Sequence, residues 1–538
     1  MNEIGKSRGI NKKYCWIMCW FLITIMVMAI PFSGCGDQAA KEDNGKKEKS
    51  NDVYVVGDER GDWGYPTPFS AYPRGPGYTR VSFIFDTLIW KDEDGFVPSL
   101  AKDWEYHKDD LTYRFELYDG VKWHDGEEMT ASDVVFTYEY LQKNPLGWVD
   151  ISVVDSVEKL NKDEVEIKLE REMGAFLNNI AGVVEILPQH IWEDIEEPAE
   201  FKEPEAVIGT GPFKLRDYDM DQGSYRYEAN ENYHLGSPEY EELHFVKVSD
   251  PQMAIQREDV NFVQIEPEAK STVQEQGLEV ISGSHDWNLK LLLNHNEEPF
   301  DNPEFRRAIA YFIDTEMLVE RALRGHGLPG SPGLISPDSR WYNEEIKEYD
   351  YDPQRGEKKL SELGYDYRDD YLIDDGGEVV ELELYTSGDY TREGELVAEF
   401  LKDAGFEVEL RSFEASVLDD RVKNWNYELA ITGHGAVGGD PERSTRFMIG
   451  GSSPHLNARY EDPELKEKVE ATSRLMDEEE RLEKAHEIQE LYAHALPAYT
   501  LYHPTWYYAH DGEVDWFFSK DGLAHGIPLP LNKLALIE

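Results

Sequence analysis

The sequence predicts an α/β protein made of more than one lobe, and three observations carry that reading. From about residue 289 onward, strand-like and helix-like stretches alternate: "LKLLLN", a helix over 303–324, a helix over 353–363, "VELELYTS", a helix over 391–404, "EVELRSF" and "YELAIT". That is α/β order, with sheet strands buried on both faces. The 538 residues exceed what one hydrophobic core organises, so two or three lobes are expected. Hydrophobic residues make up 40% of the chain and aromatic ones 12%, enough for sizeable cores.

The first segment is a targeting signal. Lys6, Arg8, Lys12 and Lys13 precede an apolar run from Cys15 to Phe32, and "FSGCGDQ" follows. A basic stretch, an apolar stretch and small residues before a cut have the form of a secretory signal. Ser33-Gly34-Cys35 resembles a bacterial lipobox, in which Cys35 is lipidated and becomes the first residue of the mature chain. The other reading is an uncleaved anchor, since about 18 apolar residues span a bilayer. Both put the body outside the cytoplasmic membrane. Cys15 and Cys19 leave with residues 1–34, so Cys35 is the one cysteine left and no intrachain disulfide or thiol catalysis is available. Residues 35–50 are polar and lack apolar periodicity; they are expected to form a flexible tether reaching roughly 20 Å.

Charge excludes whole classes of partner. Against 54 Lys and Arg stand 109 Asp and Glu, a formal net charge of −55. Losing residues 1–34 removes four basic residues and Glu3, which leaves the mature chain at −58. Such a field repels nucleic acid and anionic membrane surfaces.

"DVYVVG" begins the folded body as a β-branched strand, and the turn-rich aromatic loop "GDWGYPTPFSAYPRGPGY" follows it. "TYRFELYDGVKWHDG" alternates and then turns at Asp119-Gly120 and Asp125-Gly126. Thr130 with Asp133 forms a capping box that starts a helix through Val134, Tyr138 and Leu141. "GTGPFKLRDY" feeds a strand through a Gly-Pro turn, and Asn302-Pro303 opens a helix with proline at its first position. Phe305, Ala308, Ile309, Phe312 and Ile313 form one apolar stripe; Leu482, Ala485, Ile488, Leu491 and Ala495 form another. Both are expected to be core.

Gly433, Gly435 and Gly438 spell G-x-G-x-x-G directly after a strand-like run. A dinucleotide site needs these glycines to lead straight into a helix and a second strand. Here Gly450-Gly451 and Pro454 leave no room for helix plus strand, so no nucleotide cofactor is expected. A glycine loop at the carboxyl end of a strand is instead where open sheets present ligands. Asp440-Pro441 is either a helix cap or a ligand contact.

Six segments, in order, resemble the bacterial extracellular solute-binding proteins of family 5, the oligopeptide, dipeptide and nickel receptors of ABC importers. They are "FDTLIWKDEDGFVPSLAKDWEY", "TYRFELYDGVKWHDGEEMTASDVVFTYEYL", "GTGPFKL", "FRRAIAYFIDTEMLVERALRGHGLPGSPGLISP", "YDYDPQRGEKKLSELGY" and "ELVAEFLKDAGFEVEL". The resemblance implies a two-lobe periplasmic-binding-protein-like fold of type II with an additional domain in the first lobe. By analogy, residues 51–97, 206–287 and 501–538 form lobe I, 98–205 the additional domain and 288–500 lobe II. It also implies a lipid-anchored, extracytoplasmic substrate-binding protein that captures a small solute by hinge closure and hands it to a membrane permease, with no enzymatic activity.

The expected ligand-binding residues follow from the same frame. In peptide-binding members an Asp of the loop matching 434–441 pairs with the ligand's α-amino group, and Asp440 holds the Asp-Pro position. Val437 stands where many peptide binders carry a further acid. His434, beside Gly435, leaves open a metal chelate such as nickel. Trp63, Tyr65, Arg74 and Tyr78 follow the first strand at the mouth of the cleft, while Asp286 and Trp287 precede the strand into the second lobe. Aromatic stacking there suits peptide side chains or an oligosaccharide. The chain has no H-E-x-x-H and no C-x-x-C. An extracellular hydrolase is the rival class: Ser452 and Ser453 lie near His455, but G-x-S-x-G is missing.

Overall fold

The structure is a computed structural model that describes residues 52–72, 75–283, 287–346, 349–435, 439–446 and 460–537. The targeting signal, Cys35 and the tether lie outside the described residues, as do Arg74, Asp286, Ser452, Ser453 and His455. Among the described residues no helix is long and apolar enough to cross a membrane.

Two large sheets organise the body. The first has seven strands in the order Glu279–Gly283, Trp506–His510, Phe262–Ile265, Val53–Asp58, Glu242–Lys247, Ser224–Ala229 and Phe213–Asp219. Val53–Asp58 sits at its centre, parallel to both neighbours, with Tyr54 and Val56 buried. The second sheet has six, in the order Gly327–Pro329, Ala498–Pro504, Asn288–Leu293, Leu429–His434, Glu381–Ser387 and Glu407–Phe413. It is mixed: Asn288–Leu293 runs antiparallel to both neighbours, while Glu381–Ser387 is parallel to both of its own. Every residue of Asn288–Leu293 is buried, which explains its nearly unbroken apolar run.

A four-stranded antiparallel sheet, ordered Ala101–His107, Thr112–Leu117, Glu164–Leu169 and Val154–Asn161, shares one core with the first sheet. Its helix Ala131–Lys143 starts on the expected capping box: Ser132 N–H donates to Thr130 Oγ1 at 3.2 Å, and Thr130 N–H donates to Asp133 Oδ2 at 2.8 Å. On the second sheet, Phe305, Ile309 and Phe312 pack against Leu289, Leu291 and Leu293. The single helix expected over 303–324 is in fact two, Pro303–Phe312 and Thr315–Ala322. Asp314 is the reason: its carboxylate accepts the Met317 N–H at 2.8 Å, capping a new helix rather than continuing the old one.

The chain passes from the first sheet to the second between Gly283 and Asn288 and returns between Pro504 and Trp506. The returning segment 511–537 is then fastened to the first sheet by buried polar contacts. Trp516 Nε1 donates to Tyr54 OH at 2.8 Å, and Asn532 accepts Trp90 Nε1 at 2.9 Å while donating to Lys91 O at 2.8 Å. Lys533 Nζ lies 2.5 Å from Asp86 Oδ1, with both side chains fully buried. Thr210 and Tyr233 hydroxyls donate to the same carboxylate. Burial alone would raise the Asp86 carboxyl, but Lys533, His234 and the Thr210 hydroxyl together outweigh it and hold the group below the ordinary carboxylate range. Removing one partner of such a pair strands the other charge in an apolar interior. Lys533→Met is therefore expected to lose about 3–5 kcal/mol of unfolding free energy in denaturant titration, and the double change with Asp86→Asn to lose less than the two single changes combined.

Candidate functional site

The glycine loop leaves the second sheet at strand Leu429–His434, whose Gly433 and His434 pair with Leu289 and Asn288. A side chain at 433 would place its Cβ 2.6 Å from Trp287 Nε1, so glycine at this point makes room for an indole. Trp287 also hydrogen-bonds Tyr390. His434 is buried, with Nδ1 2.5 Å from Lys290 Nζ on the adjacent strand; burial holds that lysine well below its ordinary value. Past Gly435, the helix that follows the loop, Pro441–Arg446, has six residues. Asp440, immediately before it, is buried and ion-paired with Arg481 of helix Glu478–Ala495. Gly439 abuts the returning tail: a Cβ there would lie 2.5 Å from the His525 carbonyl oxygen.

Other contacts at this junction come from residues the sequence reading did not single out. Arg340 reaches Asp521 of the tail, Nη2 to Oδ2 at 2.8 Å, and also pairs with Glu478. Its guanidinium lies 4.1 Å over the ring of Trp341, and that of Arg481 lies 5.5 Å from the same ring. Burial, then Arg340, bring Arg481 down to about 10, still charged at neutral pH. Gly174 N–H donates to Ser473 O at 3.3 Å, joining the four-stranded region to the turn before helix Glu478–Ala495.

The residues expected on the first-sheet side divide into two groups. Trp63 and Tyr65 fasten their loop down. Trp63 Nε1 donates to Asp58 Oδ2 at 2.7 Å, and Arg60 lies 4.5 Å over its ring. Tyr65 meets Tyr218 edge-on at 5.6 Å and donates to Glu203 O at 3.3 Å. Tyr78 is different. It lies on helix Gly75–Ser82, with its ring edge-on to Trp148 at 5.3 Å and nearly parallel to Trp90 at 6.3 Å. It is 5% exposed, and its hydroxyl has no hydrogen-bond partner.

Glu185 acts electrostatically on Tyr78. It is 2% exposed, and neither carboxylate oxygen has a hydrogen-bond partner on another residue. Burial pushes its carboxyl up to about 8, with its own backbone N–H and then Lys533 pulling weakly the other way. Burial and then the Glu185 charge raise the Tyr78 hydroxyl well above its ordinary value. A single acid inside the apolar stretch "IAGVVEILP" was the available signal for Glu185. Among the described residues no group of three or more His, Cys, Asp or Glu is placed to hold a metal.

Glu185 makes a pH prediction with a definite sign. Its carboxyl titrates near 8 folded against 4.5 unfolded, so between those values the native state binds the extra proton. Native stability from this group therefore falls as pH rises through that window. The loss is on the order of 4 kcal/mol between pH 5 and 9, and Glu185→Gln removes it. The unfolding free energy of Glu185→Gln minus that of wild type should rise by this amount from pH 5 to 9, measured by chemical denaturation. A flat difference contradicts an unpartnered Glu185.

Comparison with known proteins agrees with this architecture. The family described as "Bacterial extracellular solute-binding proteins, family 5 Middle" matches residues 95–453. The oligopeptide-binding protein AppA of Bacillus subtilis is 28% identical over 514 residues, covering 90% of this chain and 92% of that one. The structure of AppA from Bacillus subtilis in complex with a nonapeptide superimposes with a TM-score of 0.68 at 23% identity, over 89% of this chain and 98% of that one. NikA from Brucella suis, in complex with Fe(III)-EDTA, gives a TM-score of 0.76 at 20% identity, over 89% and 99%. The structural likenesses establish the two-lobe α/β fold.

Proposed function

Because the chain belongs to the bacterial extracellular solute-binding proteins of family 5, we propose that it is the lipid-anchored receptor of an ABC importer and that its cargo is a peptide-like polar solute. In this reading Cys35 carries the lipid, residues 35–50 tether the body, and closure of the two lobes presents cargo to the permease. The observation that carries closure is a set of three contacts between distant chain segments at one junction. The glycine loop of the second sheet rests on the tail at Gly439 and His525, Arg340 binds Asp521, and Gly174 binds Ser473. Contacts present in the closed form alone shift the open–closed balance toward it, and a ligand that completes them shifts it further. The junction is lined by indole, phenol, imidazole and carboxylate groups, which suit a polar organic solute. The names of curated relatives favour peptides: AppA is an oligopeptide-binding protein, and a Pseudomonas aeruginosa relative 25% identical to this chain is a di/tripeptide-binding protein. In the proposed site Trp287, His434, Gly435 and Asp440 face the cargo from the second lobe, and Tyr78 faces it from the first.

Native mass spectrometry of the full chain in detergent tests this, on protein as purified and again after unfolding and refolding. A discrete excess mass of peptide size, lost on refolding, is the expected result. A retained metal chelate or sugar, or turnover of ester, peptide or glycoside probes, overturns the peptide reading. With cargo in hand, Arg340→Gln should weaken binding about two- to fivefold, mainly through faster release, and added salt should narrow that difference. Equal off-rates for Arg340→Gln and wild type argue against a junction that holds the closed form.

A further inference from the structure

Asn288 opens an interior strand of the second sheet and is 0% exposed. Among the described residues neither of its amide atoms has a hydrogen-bond partner, and the same holds for the Thr432 hydroxyl, 7% exposed on the next strand. Polar atoms buried and unbonded are costly, and such atoms normally meet an ordered water or a ligand. Strand register brings these two side chains to one face. Asn288 lies opposite His434, and Lys290 lies opposite Thr432 on one side and Thr500 on the other. Residues directly opposite share a face, as do residues two apart along a strand. The 2.5 Å approach of Lys290 Nζ to His434 Nδ1 runs diagonally across that face. Leu289, Leu291 and Leu293 point the other way, into the core. Further along the polar side, Leu292 and Ala430 pack with Tyr385, Leu418 and Val422. The apolar packing thus gives way to a polar group at the end of the sheet from which the glycine loop leaves.

The chemistry of this group is that of an acid's partner set. Asn288 Nδ2, the Thr432 hydroxyl and the Lys290 amine are donors, and Asn288 Oδ1 is an acceptor. The strands that carry and flank them, Asn288–Leu293, Leu429–His434 and Ala498–Pro504, contain no Asp or Glu, in a chain with 109 such residues. We propose that Asn288, Lys290 and Thr432 receive a carboxylate of the cargo. The three donors bond its oxygens, and Asn288 Oδ1 accepts an N–H beside it. A peptide presents that pairing at its C-terminal residue, or at an acidic side chain next to a backbone N–H. The arriving carboxylate also supplies the counter-charge for Lys290, which burial otherwise holds well below its ordinary value. This rests on the receptor reading above and specifies which group of the peptide the second lobe engages.

Isothermal titration calorimetry of the full chain with two pairs of peptides tests the proposal. The first pair is Ala-Ala-Ala and its C-terminal amide; the second is Ala-Asp-Ala amide and Ala-Asn-Ala amide. Wild type is expected to bind the acid of one pair at least about tenfold more tightly than its neutral partner. A preference within the first pair assigns the C-terminus, and one within the second assigns a side chain. Lys290→Met should abolish the preference, and Thr432→Val, which removes a hydroxyl at nearly constant shape, should reduce it about threefold. No preference in either pair, or a preference unchanged in both variants, overturns the site while the receptor reading stands; Asn288 then holds internal water only. If no tripeptide binds, the receptor reading for short peptides fails, and sodium propionate decides the site. A rise in wild-type melting temperature beyond that given by propionamide and by sodium chloride at equal concentration, absent in Lys290→Met, supports it. No such rise, or the same rise in Lys290→Met, overturns it.

Discussion

Much of the junction depends on how the C-terminal tail is held. Segment 511–537 has little regular structure, yet it presents Asp521 to Arg340 and the His525 carbonyl to Gly439. A loose tail would deliver neither. Its position is set from both ends: Trp516 is bonded to Tyr54 in the central strand of the first sheet, and Asn532 and Lys533 are bonded to the 86–91 segment. Taking Lys533 and Asp86 out of water is costly, and the geometry offsets that through two further hydroxyl donors to the carboxylate. The tail thus forms a fixed surface, one that shares its core with the first sheet.

Short-range patterns made much of this legible. The Thr130–Asp133 box, the Asn302-Pro303 start and the apolar run into Asn288–Leu293 each state a local preference that the fold keeps. The split at Asp314 was missed because periodicity continues through Ile313 while the cap changes the backbone locally. The mixed direction of the second sheet was missed for a different reason. Burial on both faces produces the same apolar run whether neighbours are parallel or antiparallel. Within the candidate site, glycines and aromatics were visible as loop residues, but their partners were not. That Gly433 yields to Trp287 requires residues 146 positions apart to be brought together, and the pairing of Asp440 with Arg481 depends on which face of a long acidic helix turns inward.

The few cations are deployed unusually in so acidic a chain. With 54 basic residues against 109 acidic ones, the carboxylate surface repels itself and opposes any approach of one lobe to the other. Several arginines serve as interior braces. Arg306 donates to the carbonyls of Phe300, Ala495 and Leu496, and Arg80 binds Asp58 beneath the first-sheet loop. Arg340 and Arg481 stand at the junction with the tail, each against a carboxylate. At these places the guanidinium groups cancel the local carboxylate repulsion.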